Sequence, residues 1–282
     1  MSEGGATASG THAAPVPPCG HGSAALRGEG YRLRCARCGS FFDRDAARLE
    51  FRYDASYPAQ RGHFDPAVGA MKVRSLERWL RAGGLDPAGR VVCEVGFGGG
   101  HCLRHLAARA ERAYGIEAVE ANLAHARTLG LADVFGFEAC RGALPRPVEL
   151  WLFLDSFEHL PDPDGFLAWL AASSAARADV LIVAPEAGSR SERWLGRLWP
   201  HRLPDHRFHW SRRGLEERFA VHGFRPVAAF RPTKSVSAAM LAAHLAHRFP
   251  ALRPLARLPR PLGELRIDFN LGELGLVLRR AL

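Results

Sequence analysis

Residues 91–100 read Val-Val-Cys-Glu-Val-Gly-Phe-Gly-Gly-Gly, and a run with apolar residues at helical spacing, His101 to Arg112, follows. An apolar run, a crowd of glycines and a periodic segment predict a buried strand, a tight turn and a helix. Glycines let the backbone take positive φ and let a ligand lie against the main chain. The helix start then offers unpaired N–H groups. A dinucleotide site would want G-x-G-x-x-G. Gly96 and Gly98 fit that pattern, but His101 stands at its third glycine. Glu94 closes the strand two residues before the first glycine. A carboxylate there suits a cationic or hydroxyl-rich ligand better than a pyrophosphate. The alternative is a strand–turn–helix unit with no ligand.

The remaining pattern alternates. Strands are expected at Ala113–Glu117, Asp133–Phe137, Val148–Leu154, Asp179–Ala184, Phe224–Phe230 and Glu273–Arg279. Helices are expected from Pro66 to about Arg81, and over 119–129, 163–177 and 211–222, with 185–210 as loop. Such alternation predicts an α/β fold, a parallel sheet covered by helices on both faces. Ligands then bind beyond the carboxyl ends of the strands. Glu117 ends the second strand about twenty residues past the glycines, where an acidic side chain meets ribose hydroxyls.

Ahead of this domain the chain changes character. Residues 1–17 are small, polar and proline-containing, which predicts a disordered tail. Over 18–45, Cys35 and Cys38 form a C-x-x-C knuckle, and Cys19 and His21 can complete a tetrahedral site for a structural zinc ion. Residues 46–90 form an N-terminal helical lid segment, and 233–262 a helical insertion in the main domain, 91–282. The 282 residues carry a net charge of +9, and all but two of the 38 basic residues are arginine, the exceptions being Lys72 and Lys234. No block of like charges forms, so a composition-wide preference for arginine explains the basicity better than a nucleic-acid partner. With no leader pattern and no long apolar run, a cytoplasmic protein is expected, with reduced thiols and no membrane or stable nucleic-acid partner.

Several ordered motifs then point one way. The run Glu94-x-Gly96-x-Gly98-x-Gly100 resembles the first motif of class I methyltransferases, which use S-adenosylmethionine. Glu158-His159-Leu160-Pro161-Asp162-Pro163 resembles the E-H-L-x-D-P segment of the group that includes the ubiquinone-biosynthesis methyltransferases. The tyrosines of Tyr53-Asp54-Ala55-Ser56-Tyr57-Pro58, the segment Leu203 to Ser211, and the closing strands resemble that group too. The resemblance covers roughly 50–282. It implies a seven-stranded, mostly parallel Rossmann-like methyltransferase sheet, with the last strand antiparallel and set beside the fifth. It also implies cofactor contacts from Glu94, Gly96, Phe97, Gly98, Gly100, Glu117, Ala118, Asp155, Tyr53 and Tyr57. Such enzymes carry an acidic residue near the adenine after the third strand. Here Asp133 and Glu138 flank that strand without a clear match.

Methyl transfer displaces a neutral thioether, so the leaving group needs no acid; the acceptor nucleophile can need a base. His159 is the candidate catalytic residue, by general-base action; the alternative is that Glu158-His159 closes the loop structurally. Glu186, His206 and His209 are acceptor-side candidates. The expected reaction is methyl transfer to an O or C atom of a small-molecule acceptor, neutral or anionic, such as a sugar nucleotide, lipid precursor or secondary metabolite. Two other classes remain open: an RNA base methyltransferase whose zinc arm grips RNA, and a cofactor-binding protein without catalysis.

Overall fold

The computed structural model describes residues 17–44, 62–137, 139–142, 144–203, 205–206, 208–239, 242, 254, 260–263 and 265–281. Of the expectations, residues 1–16 of the 1–17 tail, residues 46–61 of the lid segment, Tyr53, Tyr57 and Glu138 lie outside them.

The N-terminal segment forms an antiparallel sheet of β1 (Leu26–Glu29), β2 (Arg32–Cys35) and β3 (Phe41–Asp43). Gly39, at φ 85°, turns the chain between β2 and β3, and its N–H returns to the Cys35 carbonyl at 2.8 Å. Helix α1 (Pro66–Gly83) starts where Asp65 caps it and Pro66 opens it, and stops at left-handed Gly84. It buries Leu76, Trp79 and Leu80.

Strand β4 (Val91–Val95) is buried along its whole length. Helix α2 (His101–Ala107) is shorter than its periodicity suggested. The chain must return to the sheet by Glu111, whose N–H donates to the Arg90 carbonyl at 2.9 Å. There follow β5 (Arg112–Glu117), α3 (Glu120–Thr128), β6 (Val134–Gly136), β7 (Val148–Leu154) and α4 (Pro163–Ala172). The helix expected to reach Arg177 ends at Ala172, because β8 (Ser174–Pro185) begins at once. Ser174 pairs with Val148, and its hydroxyl accepts from Trp151 Nε1 at 2.8 Å. Long-range pairing overrides the helical preference of an alanine-rich run.

Beyond it lie α5 (Arg190–Leu195), β9 (Phe208–His209), α6 (Arg212–Val221), β10 (Phe224–Phe230), β11 (Lys234–Ser237), α7 (Arg260–Gly263), β12 (Arg266–Phe269) and β13 (Glu273–Arg280). The helical insertion expected over 233–262 is corrected at its start. Lys234–Ser237 is a strand that pairs antiparallel with β12. The turn-rich sequence on either side of Lys234 gave no periodic signal for it. Strand β9 lies inside the stretch expected as loop and adds itself to the N-terminal sheet beside β3.

The main sheet runs β10-β13-β8-β7-β4-β5-β6. Strands β8, β7, β4, β5 and β6 are parallel neighbours, and β13 runs antiparallel between β8 and β10. This is the seven-stranded arrangement that the motifs implied. Trp151, Phe153, Phe157, Phe166 and Phe219 pack one face, and Leu76, Trp79, Leu80, Leu150 and Leu152 the other. Truncating a buried aromatic such as Trp151 to alanine would cost about 3–5 kcal/mol. Strand order reverses beside β4, which opens a crevice above the carboxyl ends of β4, β5 and β7. Among the described residues no helix is long and apolar enough to cross a membrane.

Candidate cofactor and acceptor site

The crevice holds a cavity of about 960 Å³. Ligand pockets span roughly 300–1,000 Å³, so this one has room for two small molecules side by side.

Its first end is the glycine loop. Gly96, Gly98 and Gly100 all take positive φ. A Cβ at Gly99 would stand 1.8 Å from the His63 carbonyl oxygen, and one at Gly96 2.5 Å from Ser156 Cβ. Close packing by His63 and Ser156 therefore requires glycine at these two positions, and Gly96, Gly98 and Gly99 line the cavity with backbone. Gly98 N–H donates to Glu117 Oε2 at 2.8 Å, while Ala118 and Val119 N–H donate to Oε1 at 2.8 and 3.0 Å. Three donors fix this buried carboxylate at the cavity wall. Glu94 is also buried, and its Oε2 makes no hydrogen bond among the described residues. Burial pushes its carboxyl up to about 8, against the pull of nearby Lys72. A buried acceptor without a donor is costly, and a cationic donor entering the cavity would relieve it.

The second end is rich in histidine. His159, His201 and His206 line it with Asp155, Asp205 and Lys234. His159 Nδ1 donates to the Asp205 carbonyl at 3.2 Å, and His206 Nδ1 to the His201 carbonyl at 2.9 Å. The His159 and His206 rings meet edge-on, 4.7 Å apart. Burial, and then the charge of His159, hold His206 well below the ordinary imidazole range, so it stays neutral. Glu158 lies behind them, buried, with neither oxygen hydrogen-bonded among the described residues, and burial raises it to about 8. Glu158, His159 and His206 bring one donor atom each within 4.8 Å of one another. Asp155 takes φ 55°, an uncommon backbone for a non-glycine residue, and pairs with Lys234 at 2.8 Å. Burial alone would lower Lys234, but Asp155 and Glu273 overcome it and hold the ammonium charged.

Most of the sequence candidates meet here: Glu94, Gly96, Phe97, Gly98, Glu117, Ala118, Asp155, His159 and His206 all line the cavity. Three do not. Gly100 caps α2. Glu186 pairs with Arg231. His209 is buried against Phe41, at 4.6 Å, and burial lowers it to about 3. Asp133 is spent at the opposite end of the sheet, in a two-point bond to Arg112 at 2.9 and 3.0 Å. Sequence reasoning missed His63, His101, Asn122, His201, Lys72 and Lys234 as cavity residues. Rarity was the one available signal: the chain has two lysines, and both line this cavity.

Apart from the cavity, Cys19, His21, Cys35 and Cys38 bring their donor atoms within 4.8 Å of one another. The three thiols are buried and unbridged. His21 presents Nδ1 to Cys35 Sγ at 3.3 Å and Nε2 to Glu217 at 3.2 Å.

A family model described as a methyltransferase domain matches residues 70–229, more than half of the chain. This protein is a class I S-adenosylmethionine-dependent methyltransferase. Its fold is similar to that of a protein from Bacillus halodurans described as a methyltransferase. There the TM-score is 0.51 at 15% identity, over 73% of this chain and 97% of that one. It is similar as well to a structure of the Haloferax volcanii Trm112 methyltransferase activator in complex with a methyltransferase. That match has a TM-score of 0.52 at 16% identity, over 83% of this chain and 99% of that one. Identities this low speak for the fold alone. No curated sequence matches the chain. S-adenosylmethionine is the methyltransferase's co-substrate, and the unsatisfied Glu94 oxygen and the glycine cradle fit its ammonium and its close approach to the backbone.

Proposed function

We propose that this methyltransferase moves the methyl group of S-adenosylmethionine to an O or C atom of a small acceptor seated against His159 and His206. One observation carries the reading: a single cavity has the acid pair Glu94 and Glu117 at one end and the histidine cluster at the other. Glu94 would hold the ammonium. Glu117, with one lone-pair site left on Oε2 after its three N–H bonds, would accept from a ribose hydroxyl. The cofactor supplies an electrophilic methyl group on a sulfonium. Because His159 Nδ1 carries the proton given to Asp205, Nε2 carries the lone pair. That nitrogen is suited to take the acceptor's proton as the new bond forms.

The Cys19, His21, Cys35 and Cys38 set fits a structural zinc: four protein donors leave no open position. Nδ1 of His21 would be the ligand, with Nε2 bonded to Glu217 orienting the ring. All six cysteines are unbridged, which supports a reducing, cytoplasmic setting. To test the assignment, protein and S-adenosylmethionine are added to separate small-molecule and RNA extracts. Methylated product in the small-molecule pool, lost with His159→Ala, is expected. Product only in the RNA pool would replace this reading.

A further inference from the structure

We infer that the N-terminal Cys/His module positions the catalytic base. Ser40, Phe41 and Asp43 hold the 201–211 segment so that one of its backbone carbonyls selects the tautomer of His159. The role given to His159 rests on the function proposed above; the positioning does not.

The segment that carries His201, Asp205 and His206 is pinned to the module on both sides. Upstream, Glu192 is fully buried and accepts from Arg32 and Arg34 on β2. Asp43 takes Arg202 in a two-point ion pair. Downstream, Phe41 pairs with His209 in register and stacks on its ring, 4.6 Å away at 25°. Ser40 Oγ accepts the Ser211 N–H at 3.0 Å, and Ser211 Oγ donates to the Cys38 carbonyl at 2.6 Å. Between these anchors Leu203, Asp205 and His206 line the cavity, and the Asp205 carbonyl receives His159 Nδ1–H at 3.2 Å.

A carbonyl only accepts, so this contact places the proton on Nδ1 and the lone pair on Nε2. Neutral imidazole has two tautomers, and only the one with its proton on Nδ1 leaves Nε2 basic. No module residue named here lines the cavity. Ser40, Phe41 and Asp43 therefore act through the segment and are positioning residues.

The test is ring ¹⁵N NMR of His159 in the full-length protein, compared with Asp43→Ala and the milder Asp43→Asn, which keeps one oxygen for Arg202. The wild type should show Nδ1–H as the main tautomer. Asp43→Ala should raise the Nε2–H share at least threefold, with Asp43→Asn in between, while S-adenosylhomocysteine affinity stays within twofold. Thermal melts identify any variant that unfolds; in that event Ser40→Ala replaces it, with the same expected shift. A His159 tautomer unchanged in folded variants, or an equal loss of cofactor affinity, would overturn the inference. His159→Ala kinetics separately test whether His159 is the base, so the two failures are distinguishable.

Discussion

The two ends of the cavity are built in opposite ways. The glycine-loop end is built around one stretch, residues 94–99, plus Glu117 at the tip of the neighbouring strand, with His63, Lys72, His101 and Asn122 set around them. Its donors are backbone N–H groups, and its shape is set by glycines. The histidine end gathers Asp155–Pro161, His201–His206 and Lys234 from three distant parts of the chain, and a separate module braces one of them. On the function proposed above, the first end would take S-adenosylmethionine, which every enzyme of the class uses. The second would take the acceptor, and side chains on connecting segments line it. The ends should therefore be separable by mutation.

The largest effect expected is on rate. His159→Ala should slow methyl transfer by about 10²–10⁴-fold, the usual worth of a positioned general base. Cofactor affinity should hardly change, which single-turnover kinetics alongside equilibrium binding would reveal. Next comes the cofactor end. Glu117→Ala removes a charged acceptor, and S-adenosylhomocysteine binding should weaken by about 1.5–3 kcal/mol. If acceptor turnover at saturating cofactor fell just as far, the ends would not be independent.

A third prediction concerns Glu94, which titrates near 8 when folded, against an ordinary value of 4.5. Between those values the folded chain keeps a proton that the unfolded chain has lost. The Glu94 contribution to ligand-free stability, read as wild type minus Glu94→Gln, should therefore fall as pH rises from 4.5 to 8, by at most about 1.4 kcal/mol per pH unit. Cofactor binding, which needs the carboxylate, should tighten over the same window. Glu94→Gln should remove that contribution from the stability profile, which buried Glu158 and His206 also shape, and should flatten the binding profile, as pH-resolved melts and calorimetry would show. The smallest effect expected at the cofactor end is that of the metal. Cys35→Ser should lose about one zinc per chain by elemental analysis, yet shift S-adenosylhomocysteine affinity less than twofold.

The same contrast explains what the sequence disclosed. The cofactor loop is contiguous, so its spacing names its chemistry. Val148–Leu154 and Phe224–Phe230 are strands residue for residue as expected, because their apolar runs are bounded by turn residues. Ala171–Arg177 looked helical since local propensity cannot see the pairing of Ser174 with Val148. Phe208–His209 is too short to show a period, yet it adds a strand to the N-terminal sheet beside β3. Glu186 follows the cavity-facing end of β8 in sequence but turns to Arg231, a choice made by a partner 45 residues away. Lys234 showed no motif at all; only the fold brings it to Asp155.

The most direct test of two separable ends is calorimetry of S-adenosylhomocysteine with wild type, Glu117→Ala and His159→Ala under one set of conditions. The expected result is a loss of tenfold or more in affinity for Glu117→Ala and less than twofold for His159→Ala. Equal losses in the two variants, or none in Glu117→Ala, would contradict the account.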